Sequence, residues 1–219
     1  MKILYQGSPG AYSHLAALEA YPDAEVVACK TFDECFVKAE NDEKIKIIIP
    51  ESNRITGNIG IEYLIFKHRL NIYAEHFHKI EHNLLGVKGS KLIDIKNVFS
   101  HQQALSQCSN FIKKNKMIEN VRADTAGSAK LISTNQVVSE AAIASKLSAK
   151  IYHLEIIKAN IENESGNATR FLIMGKPVFQ PEFNKGKYIT SFLFKLKDKP
   201  AALYQSLAGF AINGVNLTK

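Results

Sequence analysis

Asn167-Ala168-Thr169-Arg170-Phe171 stands between a polar run, Glu162-Asn163-Glu164-Ser165-Gly166, and an apolar one, Phe171-Leu172-Ile173-Met174, closed by Gly175 and Pro177. This order reads as a loop feeding a buried strand. It comes late in the chain, so the strand returns to a sheet laid down much earlier. A hydroxyl and a guanidinium sit side by side where the loop meets a rigid element, a usual place for a site on an α/β scaffold. Thr can donate a proton, and Arg presents a planar fork of donors that fits a carboxylate. Equally, Thr is an ordinary strand residue, and an Arg at a strand entrance is commonly a solvated edge charge. A regular pleat places Thr169 and Phe171 on one face and Arg170 on the other, so the two polar groups would not share a pocket.

Upstream, short apolar runs alternate with helical patterns. Met1–Gln6 reads as a strand, Gly7 to Gly10 as a turn, Ala11–Tyr21 as a helix and Glu25–Ala28 as a strand. Thr31 and Glu34 have capping-box spacing and open a helix to about Ala39. Ile45–Ile49 is a β-branched run suited to a strand covered on both faces, with Pro50 as its end. A helix to Lys67 and a strand Leu70–Ala74 follow. The βαβα order implies a mostly parallel sheet with helices outside. The next stretch repeats the logic, with strands at Ile80–Val87, Val98-Phe99 and Glu119–Ala123. Its helices are expected at Gln102–Lys114, Ala126–Ile132 and the small-residue run Ser139–Leu147.

These patterns give two α/β lobes facing across a cleft: lobe one about 1–76 plus 168–180, lobe two about 77–167. Gly175–Lys187, with Pro177, Pro181 and Gly186, reads as a linker. Beyond it lie a strand Tyr188–Leu196, a helix Ala201–Ile212 and the start of a strand at Val215. Such a βαβ start cannot bury its own sheet.

Composition bounds the function. With 219 residues, 46% hydrophobic and 22% charged, the chain suits one or two globular domains. No apolar run reaches membrane-spanning length. The chain opens on a strand pattern without a hydrophobic leader, and its 3 cysteines lack metal spacing, which fits a reducing cytoplasm. The net charge of +7 is scattered, without an interleaved aromatic and basic stripe, so the expectation is attraction for small anions rather than nucleic acid.

Three strand-to-helix junctions offer backbone N–H groups: Gly7 to Ser13, Ser100 with His101 and Gln107, and Asp124-Thr125 to Ser128. Each has a plain turn or N-cap reading as well. His82 and His101 lack partners at metal spacing and read as structural. No P-loop lysine, dinucleotide fingerprint or Ser-His-Asp arrangement is present. Spacing alone supports an α/β protein that binds a small carboxylate.

Taken in order, these junctions resemble the prephenate dehydratase family. The resemblance runs the whole length. It rests on Gly7 to Ser13 (Gly-Ser-Pro-Gly-Ala-Tyr-Ser), Pro50 with Asn53 and Gly57, and His82 to Gly86 (His-Asn-Leu-Leu-Gly). It continues with Ser100 to Cys108 (Ser-His-Gln-Gln-Ala-Leu-Ser-Gln-Cys), Asp124 to Ala129, and the Thr169-Arg170-Phe171 signature. Residues 188–219 resemble the opening of that family's ACT domain, a βαββαβ unit that senses phenylalanine.

The resemblance implies a catalytic domain over 1–180, two lobes like those of periplasmic binding proteins, then a partial ACT domain over 188–219. It implies decarboxylating dehydration of prephenate to phenylpyruvate in phenylalanine biosynthesis, without cofactor or metal. Aromatisation supplies the drive. Thr169 would protonate the leaving hydroxyl, and Arg170, Asn53, Ser100 and Gln107 would complete the catalytic set. Ser13, Ser52, Arg54, Thr125 and Phe171 would contact substrate, and Ala201, Ala202 and Leu203 a phenylalanine effector. A complete ACT domain implies a dimer or tetramer. Two departures stand out. Where the family reads Pro-x-Glu-Asn-Ser, this chain has Pro50-Glu51-Ser52-Asn53-Arg54, and a usual Gly in the ACT segment is Ala201. A sensor that kept the cleft but lost turnover, and a solute-binding protein of the same lobe architecture, are the rival readings.

Overall fold

Ile47, Ile48 and Ile49 have no exposed surface, which only a strand covered on both faces permits. The computed structural model shows that setting, and describes residues 1–178, 180, 189–190 and 194–217. The first sheet collects β1 (Lys2–Gln6), β2 (Glu25–Cys29), β3 (Ile45–Asn53), the two-residue β4 (Gly57–Asn58) and β5 (Asn71–Lys79). Helices α1 (Tyr12–Ala20), α2 (Phe32–Asn41) and α3 (Glu62–His68) connect them. The second sheet holds β6 (Asn83–Gly86), β7 (Asn97–His101), β8 (Ile118–Arg122), β9 (Glu140–Ala144) and β10 (Glu155–Lys158). Its helices are α4 (Gln102–Gln107), α5 (Ser109–Lys114), α6 (Thr125–Asn135) and α7 (Lys146–Ile151). Then β11 (Ala168–Gly175) returns to the first sheet, between β3 and β5.

The strand orders are β2-β1-β3-β11-β5 and β10-β6-β9-β7-β8. Neither sheet is mostly parallel, contrary to the expectation from βαβα order. β1 runs parallel to β2 and β3, but β11 is antiparallel to both β3 and β5. Likewise β7 is parallel to β8 and β9, while β6 is antiparallel to β9 and β10. The reason is the double crossover. The chain leaves the first sheet from β5 and re-enters at β11 without a covering helix, so the returning strand is free to pair antiparallel. The two crossing segments are tied together where the Ile80 N–H donates to the Asn167 carbonyl at 2.9 Å.

Each sheet has a core on both faces. Phe36, Cys35, Ile47, Ile49, Leu172 and Met174 fill one side of the first sheet, under α2 and α3. Ile3, Tyr5, Ala16, Ala17, Ile48, Phe171 and Ile173 fill the other, under α1. In the second sheet Leu105, Cys108 and Ile112 cover one face, and Ala129, Ile132 and Ala149 the other. All three cysteines are buried and free.

Three elements differ from their sequence expectation. Glu140-Ala-Ala-Ile-Ala144, expected as helix, is the central strand β9, whose last four residues are wholly buried between β6 and β7. Burial on two faces overrides the helix preference of alanine there. The helix expected over Gln102–Lys114 breaks at Cys108 into α4 and α5. Pro50 does not end its strand. β1 pairs with β3 only as far as Ile48, so Pro50 sits where β3 has lost one neighbour, a place where proline's missing donor is tolerated.

Residues 182–219 form a separate unit. Its helix α8 (Ala202–Ile212) has no buried residue, and Leu203, Tyr204 and Ile212 are exposed. The strand expected at Tyr188–Leu196 falls partly on residues outside the described ones. The described residues 189, 190 and 194–196, and Val215 to Leu217, are not in a strand. Among the described residues no helix is long and apolar enough to cross a membrane.

Candidate active site

Asn53 ends β3 and organises its surroundings with both ends of its amide. Its Oδ1 accepts from the backbone N–H groups of Ile55 (3.0 Å) and Thr56 (3.1 Å), an Asx-type turn. Two backbone donors on one atom identify that atom as the oxygen. Nδ2 is therefore the end that reaches Thr169, donating to its Oγ1 at 2.9 Å across the β3–β11 register. Thr169 is buried, at 7% exposure, with its oxygen already taken as an acceptor. Its own O–H proton has no acceptor among the described residues.

A second chain of hydrogen bonds runs across the crossovers. The Tyr12 hydroxyl, at the start of α1, lies 2.8 Å from His82 Nδ1 and 3.0 Å from the Glu81 carbonyl. His82 Nε2 lies 2.7 Å from Gln107 Oε1, which also accepts from Asn167 Nδ2 at 3.2 Å. An acceptor opposite Nε2 places the imidazole proton there, and leaves Nδ1 and the Glu81 carbonyl to share the single Tyr12 hydroxyl proton. Burial holds His82 below the usual histidine pKa, against the opposing pulls of Gln107 and Glu162, so the ring is neutral. Burial likewise raises the Tyr12 phenol well above its ordinary value, which keeps it protonated. With Oε1 occupied twice, Gln107 is left to offer its NH₂ group. The Asn167 side-chain Oδ1 is buried and has no partner among the described residues.

Beside these groups lies an open cleft of about 340 Å³, lined by Ile55, Thr56, Gln107, Glu162, Asn163 and Asn167 among others. Its donors are neutral amides rather than cations, and Glu162 Oε2 accepts from the His82 backbone N–H at 3.0 Å. Asn163 braces the far wall, donating from its side chain to the Ser106 carbonyl and accepting from Asn110 N–H.

Arg170 points elsewhere, as a regular pleat against β5 requires. Its Nε donates to Glu75 at 2.6 Å and its Nη1 lies 3.4 Å from Glu51 Oε2. The register between β3 and β11 slips at Arg170/Phe171, so Glu51 and Ser52 crowd one step of β11. This bulge lets the carboxylate at position 51, one place early in the Pro50–Arg54 motif, still reach Arg170. Ser52 Oγ donates to the same Glu51 oxygen at 2.6 Å. Arg54 is exposed and its Nη1 donates to the Gly166 carbonyl at 3.2 Å.

The remaining expected residues are spread more widely. Phe171, 1% exposed, packs in the core under α1 rather than in the cleft. Ser100 is wholly buried and donates to the Ile143 carbonyl, tying β7 to β9, while His101 caps α4. Ser13 is buried in the first turn of α1, and Thr125 opens α6 behind the Asp124 N-cap. The sequence reading passed over Tyr12, His82 and Asn167 as site residues. Only their places inside quoted motifs signalled them, because their partners lie 25 to 70 positions away.

Residues 3–178 match the family model described as prephenate dehydratase. The chain belongs to the prephenate dehydratase family. Arogenate dehydratase 2 of Petunia hybrida is 39% identical over 220 residues, covering 100% of this chain and 56% of that protein. Arogenate dehydratase/prephenate dehydratase 1, chloroplastic, of Arabidopsis thaliana is 41% identical over 221 residues, with coverages of 100% and 56%. The chain thus spans just over half the length of these curated relatives. Among solved structures, prephenate dehydratase of Arthrobacter aurescens in complex with L-Phe superposes with a TM-score of 0.87 at 23% identity, covering 100% of this chain and 75% of that one. A prephenate dehydratase fold thus carries the Gln107–Asn167 pair on the cleft wall, and the Asn53–Thr169 pair joins that wall through the Thr56 N–H.

Proposed function

We propose that this chain converts prephenate to phenylpyruvate, with Thr169 as the proton donor to the leaving hydroxyl. One observation carries the reading: Asn53 is orientated by two backbone donors so that it donates to the Thr169 oxygen, and the Thr169 proton has no acceptor among the described residues. A hydroxyl that accepts a hydrogen bond is also polarised into a better donor. In the step, the ring C–O bond breaks as Thr169 passes its proton to the departing oxygen. The electron pair of the ring-to-carboxylate bond moves into the ring, CO₂ leaves, and the ring becomes aromatic. The threonine regains its proton from solvent, so each turnover consumes one proton and yields one water. Gln107 NH₂ is placed to hold a substrate carboxylate or carbonyl oxygen. Arg170, neutralised by Glu51 and Glu75, acts by holding β3, β11 and β5 together at the site. General acids of this kind contribute about 10²–10⁴-fold.

The cytoplasm suits three free thiols. The quoted motifs of residues 188–219 support reading the tail as the start of an ACT domain. Ala201, Ala202 and Leu203 would then be its phenylalanine-facing positions and the assembly a homo-oligomer.

The test is production of phenylpyruvate, followed by its absorbance in alkali, from purified protein and prephenate. Turnover is the expected result. Prephenate binding without product would instead favour a sensor that kept the cleft.

A further inference from the structure

His76 and His78 alternate along β5 and so share one face, and Glu19 from the last turn of α1 reaches both. A single oxygen, Glu19 Oε2, lies 3.0 Å from His76 Nε2 and 2.8 Å from His78 Nδ1. One ligand atom from each residue falls within 4.8 Å of the other two. We propose that Glu19, His76 and His78 form a binding site for a divalent transition ion of the zinc and cobalt class.

The donor set selects that class. Two imidazoles and one carboxylate suit zinc-like ions, whereas magnesium and calcium take mostly oxygen donors. The geometry is close to what such an ion needs. Metal–ligand bonds of about 2.0–2.2 Å in a tetrahedron place ligand atoms roughly 3.4 Å apart, so the two nitrogen-to-oxygen edges need only small adjustments. The scaffold is stiff, since β5 is held along its length by β11 and α1 is packed on the same sheet. Access is open: the Glu19 side chain is 47% exposed and that of His76 24%, while His78 at 9% forms the inner wall. Three protein ligands leave a position for water. The site is separate from the proposed catalytic groups yet beside them, for His78 is the β5 partner of Thr169. A bound ion would clamp α1 to β5 next to the cleft, and this inference stands whether or not the chain turns over prephenate.

Untagged, chelator-treated protein is titrated with Co²⁺ and read by visible absorption, then challenged with Zn²⁺. The expected result is one saturable Co²⁺ per chain, displaced by Zn²⁺ and unaffected by excess Mg²⁺. Glu19→Gln and His76→Asn, both at accessible positions and checked for an unchanged circular dichroism spectrum, each weaken binding at least about tenfold. His153→Ala, an exposed histidine elsewhere, leaves it intact. Absence of a saturable cobalt band in the wild type overturns the proposal, as does a band that survives both Glu19→Gln and His76→Asn.

Discussion

In the proposed reaction Thr169 relies on Asn53, and Asn53 relies on the turn that follows it. Replacing Thr169 by Val keeps the shape and removes the proton, so turnover should fall by ~10²-fold or more while KM changes little. Steady-state kinetics decide it, and a Val variant with full turnover removes Thr169 as the donor. Arg54 poses the opposite question. The motif departure raises a cation where the family has a neutral residue, but its guanidinium is exposed and bound to a loop carbonyl. Arg54→Ser should therefore change stability by about 0.5 kcal/mol or less and leave prephenate affinity unchanged. A loss of affinity of roughly 1–3 kcal/mol, read by calorimetry, would place Arg54 in the cleft. Ala201 shows a departure with a legible cost: it sits at φ 60°, ψ 12°, where glycine has no Cβ to accommodate.

At the scale of elements, the turn before α1 meets α7 through one glycine. Gly10 has φ +93°, and its carbonyl accepts from the hydroxyls of Ser145 (2.6 Å) and Ser148 (3.0 Å). A Cβ on Gly10 would lie 2.9 Å from the Ser148 backbone Cα, so the second lobe would have to shift. Gly10→Ala should destabilise the protein by at least about 1–2 kcal/mol from backbone strain alone. Urea melts measure this, and a variant as stable as the wild type would show that the two lobes are not locked at this contact. The glycine was legible as a turn residue. That it touches the second lobe was not, because its partners lie 135 and 138 positions away.

For the molecule as a whole, the joint between lobes makes stability depend on pH. Hydrogen bonds from Lys79 and Lys146 hold Glu81 down at a pKa of about 2. A folded-state pKa below the unfolded value means stabilisation present above about pH 4.5 and lost as pH falls toward 2. Burial lowers the pKa of His82, and of His14 beside the Gly10 turn, so each contributes stability that declines once pH drops below about 6.5. Melting temperature should thus fall in two stages on acidification. Lys146→Met should shrink the lower stage, and an unaltered acid profile in that variant would remove the Glu81 pairs as its source. Every buried residue among those described lies at or before Gly175. A chain ending at residue 181 should therefore keep a single cooperative melt and the cleft, while the exposed Ile189, Phe194, Leu203, Tyr204, Ile212 and Val215 should promote self-association of the longer chain. Sedimentation of the two lengths checks this, and a monomeric 219-residue chain would count against it.

By itself the sequence determined the α/β alternation, the capped helix starts and the motif order, because these rest on local periodicity and turn chemistry. Thr31 capping α2 through Glu34 N–H is one such local result. Only the tertiary structure decided that Ala141 to Ala144 is strand, since burial between two neighbours outweighs alanine's helix preference. The same holds for the site. Thr169 and Asn53 could be named from motifs, but their separation of 116 positions is closed by the antiparallel return of β11. Arg170, named with them, faces away, as the alternation of a strand already implied from the sequence; its partners Glu51 and Glu75 came only with the pairing of β11.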